Sequence, residues 1–120
     1  MKSYIALFFL FVINSSYSQI KSKAIEAVSP EEFKKVVLID VRTPDEFKAG
    51  HIADAINVNW FDSNFVEQIE AIVSKEKPVY VYCKAGGRSE KAYQKLEALG
   101  YKVTDLKGGY DAYKLAMQKK

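Results

Sequence analysis

From residue 24 onward, short apolar runs alternate with stretches patterned as helices, and this alternation limits the chain to a few architectures. Successive strand–helix–strand units close as parallel crossovers, with helices covering both faces of one sheet. The runs Ala24 to Val28, Val36 to Val41, Ala55 to Val58, Val79 to Tyr82 and Lys102 to Leu106 read as strands. Two helix starts share one chemistry. Ser29-Pro30-Glu31-Glu32 and Thr43-Pro44-Asp45-Glu46 each offer a hydroxyl N-cap, a proline at the first helical position and a glutamate to close a capping box. Phe65, Ile69, Ile72 and Val73 recur at helical spacing. Ala92, Leu96 and Leu99 mark one face of a helix from Arg88 to Leu99, stopped by Gly100. Gly108-Gly109 turns into a last helix through Tyr110 and Met117. The expectation is an α/β fold of three layers, with a central, mostly parallel sheet of about five strands.

A chain of 120 residues suits one domain with its own core, and a single cysteine supplies no disulfide to staple it. The net charge of +3 is too small, and too evenly interspersed, to argue for nucleic acid. The first eighteen residues differ from the rest. Lys2 precedes a continuous apolar run from Tyr4 to Ile13, and Ser16-Tyr17-Ser18 offers small residues for cleavage. This is the pattern of a secretory signal, and the apolar run is well short of the roughly 20 residues that span a bilayer. The reading divides the chain into a signal peptide (1–18), a linker (19–23) and a domain (24–120). It implies an exported, periplasmic or secreted protein with no stable membrane span after cleavage; the alternative is an uncleaved anchor.

Strand ends carry the chemistry. In open parallel sheets ligands bind outside the carboxyl ends of the strands. That rule gathers Asp40 and Arg42, Asn59 to Phe61, Cys83 to Ser89 and Lys107 to Gly109 on one rim. The run Cys83-Lys84-Ala85-Gly86-Gly87-Arg88-Ser89 stands between a strand and a helix. A free thiol ionises near pH 8.5 or so, and a helix N-terminus or neighbouring cations lower that value. Gly86 and Gly87 allow backbone angles that turn successive amides inward as an anion nest. Such a loop makes a thiolate nucleophile with a cradle for an anionic donor. An inert core cysteine is the plain alternative, and the glycines and cations around Cys83 weigh against it. His51, the only histidine, reads as a structural hydrogen-bonder, although its presence leaves a Cys–His hydrolase open. One cysteine and one histidine do not make a zinc site.

These residues resemble a single-domain rhodanese, a sulfurtransferase module. Cys83 to Ser89 resembles that family's Cys-x-x-Gly-x-Arg-Ser loop. Leu38-Ile39-Asp40-Val41-Arg42, Glu46-Phe47, Gly50-His51-Ile52 and Ala55-Ile56-Asn57-Val58 resemble its N-terminal signature, and Leu106-Lys107-Gly108-Gly109-Tyr110 its closing turn. Asp54 stands where the family often has glycine. The resemblance implies a rhodanese-like fold and a ping-pong cycle without metal or organic cofactor. Cys83 takes a sulfane sulfur from a small anionic donor such as thiosulfate, carries it as a persulfide, and gives it to cyanide or a thiol, including a protein thiol. Lys84, Ala85, Gly86, Gly87, Arg88 and Ser89 are then the substrate-binding loop, with Asp40 and Arg42 as an ion pair fixing the rim. Trp60 and Phe61 are candidate pocket walls, Glu46 a helix cap, and Lys107 a surface lysine at the rim. A module that carries sulfur or binds a partner without turnover is the alternative. Related phosphatases and arsenate reductases are a more distant one, since their loop is one residue longer. Here four residues separate Cys83 from Arg88.

Overall fold

The computed structural model describes residues 20–120. The proposed export signal lies outside them. The described chain builds one sheet of five strands, all parallel, in the order β1-β5-β4-β2-β3. The strands are β1 (Ser22–Ala24), β2 (Val37–Asp40), β3 (Ile56–Asn57), β4 (Pro78–Tyr82) and β5 (Lys102–Lys107). The helices are α1 (Pro30–Phe33), α2 (Pro44–Ala49), α3 (Phe65–Ile72), α4 (Gly87–Ala98) and α5 (Gly109–Gln118).

Strand side chains alternate between two cores, as the period of two demands. Ile39, Val79, Val81, Cys83 and Val103 pack with Phe65, Ile69, Ala92 and Leu96 of α3 and α4. Leu38, Tyr82 and Leu106 face the other way, against Ile25, Val28, Ile52 and the rings of Phe33, Tyr110 and Tyr113. The expected three layers are therefore present. Helical spacing overreached at two helix ends. Ile72 and Leu99 are exposed, because α3 and α4 finish as those residues rotate away from the sheet.

Two expectations need correction near the start of the domain. The first strand covers Ser22–Ala24, starting two residues back in the stretch read as a linker, and Ile25–Ala27 is a 3-10 turn. In such a turn residues three apart eclipse one another, so Ile25 and Val28 enter the same core. The capping box at Ser29 is only half made. Ser29 Oγ accepts from the Glu32 amide at 3.1 Å. The Glu32 carboxylate does not return to the cap; it accepts from Lys23 Nζ at 2.7 and 2.8 Å and from the Tyr80 hydroxyl. A cation and a phenol outcompete one solvent-exposed amide. At Thr43 the box closes in both directions.

Connectivity decides where a site can form. From β2 the chain runs outward to β3, crosses back over β2 through α3 to β4, and continues in that direction through α4 to β5. The loops after β2 and β4 therefore diverge from neighbouring strands, which opens a crevice at their carboxyl ends.

Candidate active site

Cys83 is the first residue beyond β4 and is only 1% exposed. Its sulfur accepts a hydrogen bond from the Gly86 amide at 3.1 Å. The thiol lies 3.6 Å from Ser89 Oγ, and that hydroxyl donates to the Gly86 carbonyl at 3.2 Å. Gly86, with φ of +134°, is the N-cap of α4, a conformation L side chains seldom adopt. This turn places the sulfur against the start of α4, whose first amides have no partner within the helix. Their dipole favours negative charge there.

The loop is held open from behind by α5. Tyr110 N donates to the Cys83 carbonyl at 2.8 Å, and Asp111 N to the Lys84 carbonyl at 3.0 Å. With these carbonyls drawn toward α5, the Gly86 amide is left to face the sulfur. The approach is close: a Cβ on Gly109 would sit 2.5 Å from both carbonyl oxygens. Glycine at φ +62° is what permits it.

The loop after β2 supplies the opposite wall. Arg42 donates from Nε and Nη2 to both carboxylate oxygens of Asp40, at 2.7 to 3.1 Å, and from Nη2 to the Gly50 carbonyl at 2.7 Å. Both side chains are almost fully buried. The guanidinium also lies 4.4 Å from the centre of the Tyr110 ring. Arg42 thereby ties β2 to the end of α2 and to the start of α5, and its charge is spent on Asp40.

Arg88 is not an unpaired cation. Its Nη1 and Nη2 donate to the two carboxylate oxygens of Glu46 at 2.7 and 3.0 Å. Arg88 holds Glu46 down to about 2, well below the usual carboxylate range. Arg88 itself is pushed above its ordinary value, first by the bonds to Glu46 and to a lesser degree by the charge of Cys83. The same guanidinium lies 5.7 Å from the ring centre of Phe61, which is two-thirds exposed. Phe61 thus walls the mouth, while Trp60 turns inward to pack edge-on against Phe65 at 5.0 Å.

The remaining candidates fall outside this shell. Lys84 is exposed and pairs with Asp111 at 2.8 Å. Lys107 pairs with Glu90 at 3.4 Å. His51 donates from Nδ1 to the Phe47 carbonyl at 2.8 Å and stacks on the Phe47 ring, which makes it a turn-forming residue. Asp54 takes the left-handed conformation, φ +69°, that a glycine would adopt freely. Among the described residues no group of three side chains suited to a metal converges. A shallow cleft of about 170 Å³ opens beside the loop between Arg42, Glu46, Lys84, Tyr110 and Lys114.

Sequence reasoning missed two residues here. Glu46 was assigned to its cap alone, yet one carboxylate serves both Thr43 and Arg88. Asp105, on β5, is buried to 1% with no hydrogen-bond partner on either carboxylate oxygen. Its signal was available: a carboxylate in step with Val103 on the inward face of a core strand.

Comparison with known proteins agrees with this architecture. The chain is 36% identical over 110 residues to the uncharacterized protein YqhL of Bacillus subtilis, covering 88% of this chain and 83% of that one. It is 38% identical over 85 residues to thiosulfate sulfurtransferase 16 of Arabidopsis thaliana, covering 62% and 71%. It is 35% identical over 91 residues to the adenylyltransferase and sulfurtransferase UBA4 of Yarrowia lipolytica, covering 72% of this chain but spanning only 23% of that protein. The crystal structure of a rhodanese-related protein from Thermoplasma volcanium superposes with a TM-score of 0.68 at 31% identity, over 78% of this chain and 89% of the other. Residues 24–116 match the model of the rhodanese-like domain, and the chain belongs to that family.

Proposed function

We propose that this protein is a sulfurtransferase that carries a sulfane sulfur as a persulfide on Cys83. The observation that carries the reading is the Gly86 amide donating to the Cys83 sulfur at 3.1 Å, in a loop that opens a helix. An amide aimed at sulfur stabilises the thiolate and, after transfer, the inner sulfur of the persulfide. The kinship with thiosulfate sulfurtransferase 16 supports a thiosulfate-type donor.

The steps balance without an added oxidant. The Cys83 thiolate attacks the outer sulfur of thiosulfate; a sulfur–sulfur bond forms at Cys83, the donor's own bond breaks, and sulfite leaves with the electron pair. Cyanide or a thiolate then attacks the outer sulfur of the persulfide, and the Cys83 thiolate is returned. Arg88 is a positioning residue, since both its outer nitrogens are bound to Glu46. The amides at the start of α4 take the donor's negative charge, and Lys84 adds positive field at the mouth.

The test is mass spectrometry of the protein after incubation with thiosulfate. A gain of one sulfur, absent in Cys83→Ser, is expected. A gain of sulfur with no release to cyanide or small thiols would identify a carrier that needs a protein acceptor. No gain from any sulfane donor would leave a partner-binding module, and turnover of an aryl phosphate instead would point to the phosphatase relatives. Export is a separate proposal, tested by whether protein recovered outside the cytoplasm begins after Ser18.

A further inference from the structure

Asp105 poses a physical problem that the proposed cycle does not use. Its carboxyl is 1% exposed and neither oxygen has a hydrogen-bond partner. An ionised carboxylate in that state is costly, so burial favours the protonated form. Burial pushes Asp105 above the ordinary carboxyl range, and the Ser89 hydroxyl is the neighbour that pulls hardest the other way.

The placement is specific. Asp105 pairs in register with Val81, and Cys83 follows Val81 by two residues, so Asp105 and Cys83 project from the same face of adjacent parallel strands. Val81, Cys83 and Val103 all belong to the core under α3 and α4. Ser89, fully buried in the first turn of α4, covers that face and lies 3.6 Å from the Cys83 sulfur. Two charged groups near Asp105 act in opposite senses. Lys107 on its own strand favours the anion, and Glu90 on α4 opposes it. Those two pair with each other at 3.4 Å. On the β1 side the Asp105 amide donates to the Lys21 carbonyl, and the Lys21 amide donates to the Tyr93 hydroxyl of α4.

We propose that Asp105 is a positioning residue that acts through Ser89 on Cys83: as a neutral acid it donates its O–H to Ser89 Oγ and directs the Ser89 O–H to the sulfur. In the thiol form the S–H points to Ser89 Oγ, and Ser89 donates to Gly86. When the thiolate forms, Ser89 turns its proton to sulfur, and its freed lone pair receives the proton of Asp105. The sulfur then has two donors, the Gly86 amide and the Ser89 hydroxyl. Ionised Asp105 does the reverse: it draws the Ser89 proton to itself and adds negative charge behind the nucleophile.

This inference deepens the reading of Cys83 as a nucleophile, and its test does not require sulfur transfer. The rate of Cys83 alkylation by iodoacetamide is followed against pH in the full chain. The parent is expected to show a second bend, set where Asp105 ionises. Asp105→Asn, which keeps a donor and never ionises, is expected to lose that bend while retaining the rate below it. Asp105→Leu is expected to slow alkylation below the bend by about threefold to tenfold, the loss of one hydrogen bond's influence on a charged group. In a Ser89→Ala background the substitutions at 105 are expected to have no further effect. Should Asp105→Asn and Asp105→Leu both keep the parent profile, Asp105 is a structural burden only and the proposal fails. An infrared band of a protonated carboxyl at neutral pH, lost in Asp105→Asn, is required as well; its absence overturns the proposal even if Asp105→Leu does not fold.

Discussion

The guanidinium of Arg88 grips both carboxylate oxygens of Glu46, at 2.7 and 3.0 Å, and so joins the first turn of α4 to α2. This fork spans the crevice where the two strand connections diverge. It also fixes the first turn of α4, next to the Gly86 amide that donates to the sulfur. Glu46 stands at about 2 in the folded chain against 4.5 when free. Its pKa is depressed on folding, so the stability it contributes is complete above pH 4.5 or so and is lost as the pH falls toward 2. Both side chains are partly solvated, which discounts the pair. Glu46→Gln is expected to cost about 1–2 kcal/mol at pH 7 by urea denaturation. The gap between the two proteins should shrink through the acid window; a gap that stays constant would mean that the cap at Thr43 carries the effect.

Gly109 gives the sharpest steric prediction. A methyl group there meets the Cys83 and Lys84 carbonyl oxygens at 2.5 Å, and both are backbone atoms that cannot rotate away. The left-handed φ of +62° adds strain. Gly109→Ala is expected to lower stability by about 3 kcal/mol or more and to disturb the Cys83 loop. Thermal melts followed by circular dichroism measure the first effect, and the rate of Cys83 alkylation the second. Gly87→Ala, with open space and an ordinary helical conformation, is the control that should melt like the parent.

Much of the fold was legible because its signals are local. Thr43-Pro44-Asp45-Glu46 carries its whole cap within four residues, and the apolar runs at Leu38 and Val79 need only a strand period to be recognised. The Cys83 loop was equally legible, since a strand, two glycines and a helix start lie in one run. What escaped depends on contacts between distant positions. Glu32 leaves its cap for Tyr80, 48 residues away, and Glu46 meets Arg88 across 42. Short-range pattern gives no weight to either. Ser22–Ala24 becomes a strand because the edge of β5 offers it a ladder, and its own composition is too polar to announce one.

Asp40 and Arg42 form the most deeply buried ion pair among the described residues, with side chains 0% and 5% exposed. Removing one partner strands the other charge away from water. Asp40→Asn is expected to cost about 3–5 kcal/mol in urea unfolding. Arg42→Lys keeps the charge but lacks the fork that reaches Asp40 and Gly50 together, and is expected to cost less than Asp40→Asn while still loosening α2. Hydrogen exchange should rise first at Gly50 and Ile52; faster exchange confined to α3 would contradict this placement of the strain.

Lys84 and Asp111 pair at 2.8 Å but remain about half exposed, so their bond adds little to stability. Lys84→Ala is expected to melt with the parent. On the proposed sulfur-transfer reading its effect belongs to the encounter with an anionic donor: thiosulfate is a dianion, and a cation at the mouth would raise its local concentration. Loading of Cys83 with sulfur should slow by about twofold to fivefold at low ionic strength. The difference should close in concentrated salt, where the Debye length contracts to about 3 Å at 1 M. Asp111→Asn, which frees Lys84 from its partner, should act in the opposite sense and speed loading at low salt. A deficit in Lys84→Ala that persists undiminished in 1 M salt would place Lys84 in direct contact with the donor rather than in the field that steers it.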